Sequence, residues 1–203
     1  MKIICIGRNY VAHAKELNNP VPKEPVVFLK PDTALLPKSM PFFYPNFSKE
    51  IHYEAELVVK IDRVGKNISQ RFAHKYYSKF TVGIDFTARD LQLECKEKGL
   101  PWERAKAFDG SAPVGRFLPK ENFKNLDDLN FSLKINGENK QQGNTANMLF
   151  SIDAIIAYVS QFFTLKIGDL IFTGTPEGVG PISINDGFEA FIEDEKVLEL
   201  KIK

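Results

Sequence analysis

Strand-like runs outnumber helix-like ones along this chain, and the two do not alternate regularly. That order argues against a doubly wound parallel sheet and favours an α+β fold, a β-rich roll with a few short helices. Apolar or alternating runs at Ile3 to Ile6, Val26 to Leu29, His52 to Ile61, Phe80 to Phe86, Leu129 to Ile135, Leu170 to Thr173, Phe188 to Ile192 and Val197 to Ile202 read as strands. Three segments read as helices. The first spans Val11 to about Leu17, after the turn Gly7-Arg8-Asn9-Tyr10, and is stopped by Asn18, Asn19 and Pro20. The second opens at a capping box formed by Thr87 and Asp90 and closes at Gly99. The third follows Ser151 as N-cap, with Ile152, Ile155, Ile156, Val159 and Phe163 on one face. Pro20 to Pro25 carries three prolines, which makes the segment around 10–25 a candidate mobile lid on an otherwise single domain over 1–203.

Charge narrows the partners. Lys and Arg number 27 against 26 Asp and Glu, a net charge of +1, so no positive field draws in a polyanion and a nucleic-acid partner is disfavoured. No window approaches the about 18 uninterrupted apolar residues of a membrane span. Met1 to Ile6 is apolar, but Arg8 and Asn9 end the run early, so it reads as a buried first strand rather than a targeting segment. Cys5 and Cys95 are the only cysteines and neither has a partner at metal-ligand spacing, which fits a reducing, cytoplasmic setting.

Within His52 to Ile61 the residues alternate, placing Glu54, Glu56, Val58 and Lys60 on one face of a half-buried strand. Two glutamates at i and i+2 aim their oxygens at one point and repel each other. An oxygen-seeking divalent cation compensates that repulsion when a third carboxylate such as Asp85, at the end of the next strand, converges. By itself a Glu-x-Glu pair is more often a solvated edge strand, and spacing does not establish the third ligand.

Three other groups bear on the choice. His13 and Glu16 lie three apart on a short helix, where a carboxylate can orient an imidazole and raise its basicity; the plain alternative is a surface pair. Arg89 and Gln92 lie one helical turn apart just after Asp85, placed to orient a substrate carboxylate, with a surface helix face as the alternative. Lys106 would offer a point charge to a developing oxyanion, although a single lysine is usually solvated. The run Thr173-Gly174-Thr175-Pro176-Glu177-Gly178-Val179-Gly180 exposes backbone N–H groups and reads as a carboxylate cradle or a tight turn. It lacks the lysine and following helix of a phosphate loop.

Taken in order, Gly7-Arg8-Asn9-Tyr10 with His13 and Glu16, Phe28-Leu29-Lys30-Pro31, Glu54-Ala55-Glu56-Leu57 and Asp85-Phe86-Thr87-Ala88-Arg89-Asp90 form a series. It continues with Ala105-Lys106, Asn147-Met148-Leu149-Phe150, Gly168-Asp169-Leu170 and Thr173-Gly174-Thr175-Pro176 to Gly180. The series resembles the fumarylacetoacetate hydrolase family, in particular its small acylpyruvate hydrolase and oxaloacetate decarboxylase members, over nearly the whole chain. The resemblance implies a mixed β-roll, a homodimer, and Mg²⁺ or Mn²⁺ on Glu54, Glu56 and Asp85. It implies His13, Glu16 and Lys106 as catalytic residues, and Arg8, Lys30, Arg89, Gln92, Gly174 and Thr175 around the substrate. Asp32, Asn144 and Asn147 depart from the residues usual in the family, which bears on substrate range more than on chemistry.

The expected reaction is metal-dependent cleavage of the carbon–carbon bond of an acylpyruvate, with oxaloacetate decarboxylation at the same site, since both pass through pyruvate enolate. The alternatives are a 2-hydroxyhepta-2,4-diene-1,7-dioate isomerase or oxaloacetate tautomerase, and, outside enzymes, a metal-stabilised 2-oxo acid binding module.

Overall fold

The computed structural model describes residues 1–16 and 20–203. The expected helix stop at Asn18 and Asn19, with Leu17 before it, lies outside the described residues. The chain begins β1 (Ile3–Ile6), α1 (Val11–Glu16), β2 (Val27–Lys30), β3 (Ile51–Tyr53), β4 (Ala55–Ile61), α2 (Gln70–Ala73) and β5 (Tyr77–Ile84). It continues through β6 (Thr87–Ala88), α3 (Arg89–Lys98), α4 (Glu103–Lys106), β7 (Leu118–Pro119), β8 (Asn130–Ile135) and β9 (Glu138–Asn144). It ends with α5 (Ile152–Val159), β10 (Leu170–Phe172), β11 (Gly180–Pro181), β12 (Gly187–Ile192) and β13 (Glu195–Lys201).

The strands form a six-stranded sheet ordered β2-β1-β10-β4-β5-β7, a three-stranded sheet β11-β3-β6 and a four-stranded sheet β13-β12-β8-β9. Among the described strands only β1 and β10 pair in parallel. The fold is the sheet-rich α+β arrangement expected. Asn136 and Gly137, both at positive φ, close the tight β8–β9 hairpin that the Asn-Gly pair foretells. Ser151 caps α5, its Oγ accepting from the Ala154 N–H, and the helix lays Ile152, Ile155, Ile156 and Val159 into the main core.

Two expectations need correcting. The alternating run at His52 to Ile61 is neither one strand nor half-buried: it breaks at Glu54, and β4 is buried on both faces save at Lys60. The cause is its central place between β10 and β5. Leu57 and Val59 join the main core, while Val58 on the opposite face packs with Ile3, Cys5, Ala34 and Phe172 in a second cluster. The capping box at Thr87 and Asp90 does not form. α3 starts after Ala88 without a side-chain cap; Thr87 turns inward, and Asp90 accepts from Ser48 Oγ and Lys49 N–H. Gly99 does close α3, at φ 63°.

The break at Glu54 positions the site. There the chain leaves the small sheet, where β3 pairs with β11 and β6, and enters the large one as β4. The register Ala55 opposite Ile84 is extended one step by the Asp85 N–H donating to the Glu54 carbonyl at 2.8 Å. Antiparallel pairing therefore sets Asp85 directly across from Glu54.

Candidate active site

Glu54, Glu56 and Asp85 converge: one oxygen of each lies within 4.8 Å of the others, and all three are buried. Such a cluster is stable only if cations or donors face it. Lys106, delivered by α4, donates from Nζ to Glu54 Oε2 (2.8 Å), Asp85 Oδ2 (2.7 Å) and Thr87 Oγ1 (2.6 Å). Arg89 donates from Nη2 to Glu54 Oε1 (2.6 Å) and from Nη1 to Gln92 Oε1 (2.6 Å). Lys30, wholly buried, places Nζ 2.7 Å from Asp85 Oδ1 and donates to the Ser111 hydroxyl and carbonyl. That ion-pair contact lacks hydrogen-bond alignment, so Asp85 Oδ1 is a buried oxygen with no donor.

The three carboxylates are not electrostatically alike. Burial pushes Glu54 up, but the Lys106 and Arg89 charges outweigh burial and hold its carboxyl well below the ordinary range. Glu56 goes the other way: burial, then the charges of Asp85 and Glu54, raise its carboxyl well above the ordinary value, against one donor, the Gly174 N–H at 2.6 Å. Lys106 is pulled down by burial and more than restored by Asp85 and Glu54, so its ammonium is held more tightly than in water. An all-oxygen set with one orphaned lone pair and one carboxylate short of positive charge fits a hard divalent cation.

Gly174 owes its identity to geometry. Its φ is +103°, and a Cβ there would meet the Cβ of Asn9 at 2.6 Å. Asn9 pins this approach by donating from Nδ2 to the Thr173 and Phe150 carbonyls and accepting from the Phe150 N–H. Gly174→Ala is expected to cost about 2–4 kcal/mol of stability in denaturant unfolding, since backbone strain and a backbone-borne clash add. A loss below about 0.5 kcal/mol, the level of a neutral surface change, contradicts that account.

His13 is buried, with Nδ1 3.1 Å from Glu16 Oε2. Glu16 Oε1 accepts from the Gly178 N–H at 3.0 Å, tying α1 to the glycine-rich turn. The Thr175 hydroxyl is committed elsewhere: it donates to the Ala55 carbonyl and accepts from Gln141 Nε2, while Gln141 Oε1 accepts from the Ala55 N–H. Arg8 is half-buried and forms no ion pair among the described residues.

Twelve positions were singled out from the sequence, and most meet here. Glu54, Glu56, Asp85, Lys106, Arg89, Gln92 and Lys30 form one bonded network, and Gly174 touches it through Glu56. His13 and Glu16 join through the Gly178 turn. In this structure Lys30, Arg89 and Thr175 face protein groups and hold the carboxylate strand in place. Asn9, Ser111 and Gln141 were not singled out as site residues, and Thr87 was read only as a helix cap. Asn9 and Thr87 sit inside the motifs quoted above; Gln141 lies in a polar strand with no local signal. No helix among the described residues is long and apolar enough to cross a membrane.

The family model described as fumarylacetoacetate (FAA) hydrolase C-terminal matches residues 2–203. The chain is 47% identical over 201 residues to the oxaloacetate tautomerase FAHD1, mitochondrial, of Mus musculus, covering 99% of this chain and 91% of that one. It is 44% identical over 186 residues to the oxaloacetate tautomerase YcgM of Escherichia coli (strain K12), covering 91% and 85%. Among solved structures, fumarylpyruvate hydrolase from Pseudomonas aeruginosa in complex with Mn²⁺ and pyruvate superposes with a TM-score of 0.93 at 36% identity, covering 100% of this chain and 89% of that one. With a family match from residue 2 to the last residue, and a buried carboxylate triad where the motifs align, the chain belongs to the fumarylacetoacetate hydrolase family.

Proposed function

We propose that the protein is a Mg²⁺- or Mn²⁺-dependent enzyme that interconverts the enol and keto forms of a small 2-oxo acid, oxaloacetate foremost. The observation that carries this reading is the buried convergence of Glu54, Glu56 and Asp85 beside the Lys106 ammonium. The names of relatives at 44% and 47% identity move tautomerisation ahead of acylpyruvate cleavage, the first expectation.

Bound at the three carboxylates, the cation would supply Lewis-acid polarisation of the substrate's keto oxygen. The residues do the rest. Lys106, fixed by Thr87 and two carboxylates, presents positive charge to the oxygen on which negative charge develops. His13 has Nδ1 taken by Glu16, which leaves Nε2 as the nitrogen that exchanges a proton. Conversion of enol to ketone removes the hydroxyl proton from oxygen and places a proton on the adjacent carbon, so one base that both takes and returns a proton suffices.

The same dyad favours a second reading, hydrolytic cleavage of acylpyruvates, because a carboxylate-oriented imidazole also suits activation of water. Products separate the two. Loss of the ultraviolet absorbance of enol oxaloacetate without pyruvate release marks the tautomerase, whereas pyruvate formed from acetylpyruvate or fumarylpyruvate marks the hydrolase. Metal-independent rates after chelation, or no product from either class, refute both. His13→Ala is expected to lower either turnover by about 10²–10⁴-fold, the usual contribution of an acid–base residue. Calorimetric Mn²⁺ affinity should be unchanged, and unchanged turnover would remove His13 from the mechanism.

The wider setting is part of the same proposal. Buried free Cys5 and Cys95 support a reducing compartment, cytoplasmic on the sequence reading. Exposed Phe43 and Phe47 support a subunit contact and a homodimer. The tie between Glu16 and Gly178 supports a lid role for α1, within the segment around 10–25, closing on the glycine-rich turn.

A further inference from the structure

Ala55, the residue between Glu54 and Glu56, lacks a strand to bond to. It sits opposite Ile84 on β5, but the Ile84 N–H goes to the Pro113 carbonyl, and on the other side β10 ends its pairing with β4 at Phe172 and Val58. A buried N–H and carbonyl left there without partners would each carry a desolvation cost. Side chains stand in for the missing strand. The Ala55 N–H donates to Gln141 Oε1 at 2.8 Å, and the Ala55 carbonyl accepts from Thr175 Oγ1 at 2.9 Å. Gln141 Nε2 closes the ring by donating to Thr175 Oγ1 at 2.8 Å, and it also donates to the Pro176 carbonyl at 3.0 Å.

Gln141 comes from the other end of the fold. It lies on β9, the mostly exposed edge of the four-stranded sheet, yet is itself only 2% exposed. The glycine-rich turn rests on the same stretch of β9: a Cβ at Gly178, where φ is +94°, would meet the Lys140 carbonyl oxygen at 2.5 Å. One amide thus joins the strand that carries Glu54 and Glu56 to the turn whose Gly174 N–H holds Glu56 and whose Gly178 N–H holds Glu16 beside His13.

We propose that Gln141 is a positioning residue: it locks the carboxylate strand and the glycine-rich turn in one register, so that the metal ligands and the His13–Glu16 pair are set together. The inference rests on the reading of the triad as a metal site and adds the group that aligns it with the acid–base pair. The residue type follows from the place. One neutral side chain must accept from Ala55 and donate to two oxygens; a primary amide does both, whereas a carboxylate lacks the donor and an ammonium the acceptor.

Two variants test this. Gln141→Met keeps the bulk and removes both halves of the amide, and Gln141→Asn keeps the amide one methylene too short to reach Ala55 and Thr175 together. Mn²⁺ affinity, read by calorimetry, should fall about 10–100-fold in each, the usual cost of losing a group that orients a metal ligand. At saturating Mn²⁺, kcat should stay about tenfold or more below wild type, with KM changed less, because the turn that seats Glu16 has shifted. Gln142→Met, at the exposed neighbour, should change neither. Wild-type Mn²⁺ affinity or wild-type kcat in a folded variant, however far its melting temperature drops, makes Gln141 a packing residue only and overturns the proposal with the triad reading intact. A wild-type protein that binds no Mn²⁺ removes the triad reading and this one with it. If neither variant folds, hydrogen exchange in metal-free wild type decides: the Ala55 amide should exchange as slowly as amides of the β4–β5 ladder, and fast exchange there overturns the lock.

Discussion

Replacing Glu56 with glutamine is expected to abolish Mn²⁺ binding and to lower enol turnover by about 10³-fold or more, the equivalent of the several kcal/mol a Lewis acid supplies. The same change should leave the metal-free protein at least as stable as the parent. Both outcomes have one cause. Glu56 is the carboxylate the protein leaves without a cation: Glu54 has Lys106 and Arg89, Asp85 has Lys106 and Lys30, and Glu56 has a single backbone N–H. Its carboxyl is therefore raised, and the metal-free fold holds that proton to higher pH than the unfolded chain does. The sign of the pH dependence follows. The folded form keeps a proton that the unfolded chain, with glutamate at its usual value of about 4.3, has already released. Glu56 thus contributes stability fully present below that value and lost as pH rises through the raised one. Metal-free wild type should lose stability across that window, Glu56→Gln should not, and saturating Mn²⁺ should flatten the wild-type profile. Thermal melts at several pH values, with and without Mn²⁺, read all three. A Glu56→Gln protein still stabilised by Mn²⁺, or one less stable than metal-free wild type throughout, contradicts the account.

What the sequence disclosed and what it hid divide along a physical line. Contacts made within one element are written locally. The Ser151 cap, the Asn136-Gly137 turn and the Gly99 stop depend on neighbouring residues and are legible. Contacts made by register are not. Nothing near Glu54 shows that Asp85 lies opposite, because that follows from pairing β4 with β5 and extending it one residue beyond the strand ends. Ordered motifs supplied the third ligand by resemblance; the sheet supplies its reason. The solvated-strand alternative for Glu54 and Glu56 fell for a similar cause. Alternation describes one strand, whereas burial on both faces is imposed by β10 and β5 on either side. The misread capping box at Thr87 is instructive too. Ser/Thr followed by Asp three residues on fits a helix start, but a hydroxyl accepting from a buried ammonium at 2.6 Å is better placed there than at an exposed cap. Strand β9, Glu138–Asn144, was missed altogether, since its mostly polar residues carry no apolar alternation and β8 alone recruits it.

Lys106→Met should act in the opposite sense to the Glu56 change. Its ammonium is shared among Glu54, Asp85 and Thr87, so removing it leaves two buried carboxylates with reduced compensation. Breaking a buried pair in this way costs about 3–5 kcal/mol, and metal-free Lys106→Met should be destabilised by that much. Because the folded lysine is held above its ordinary value, its contribution is complete below the unfolded value of about 10.4 and is lost only as pH rises through the folded one. Between neutrality and mild alkalinity the deficit should therefore be constant. Toward acid it should shrink, since Glu54 without Lys106 takes a proton more readily. A cation added to the triad replaces part of the missing charge, so Mn²⁺ should rescue Lys106→Met by more degrees of melting temperature than it adds to wild type. Turnover should not follow that rescue, because the charge facing the developing oxyanion is still absent; a loss of about 10²–10³-fold is expected even at saturating Mn²⁺. Combining Lys106→Met with Glu56→Gln gives the sharpest check. Above the raised Glu56 value one change removes a positive charge from the cluster and the other a negative one, so at such pH the double variant should be more stable than Lys106→Met alone. Strict additivity, with the Glu56 change no more favourable in the Lys106→Met background than in wild type, would mean that the two groups do not share one electrostatic cluster.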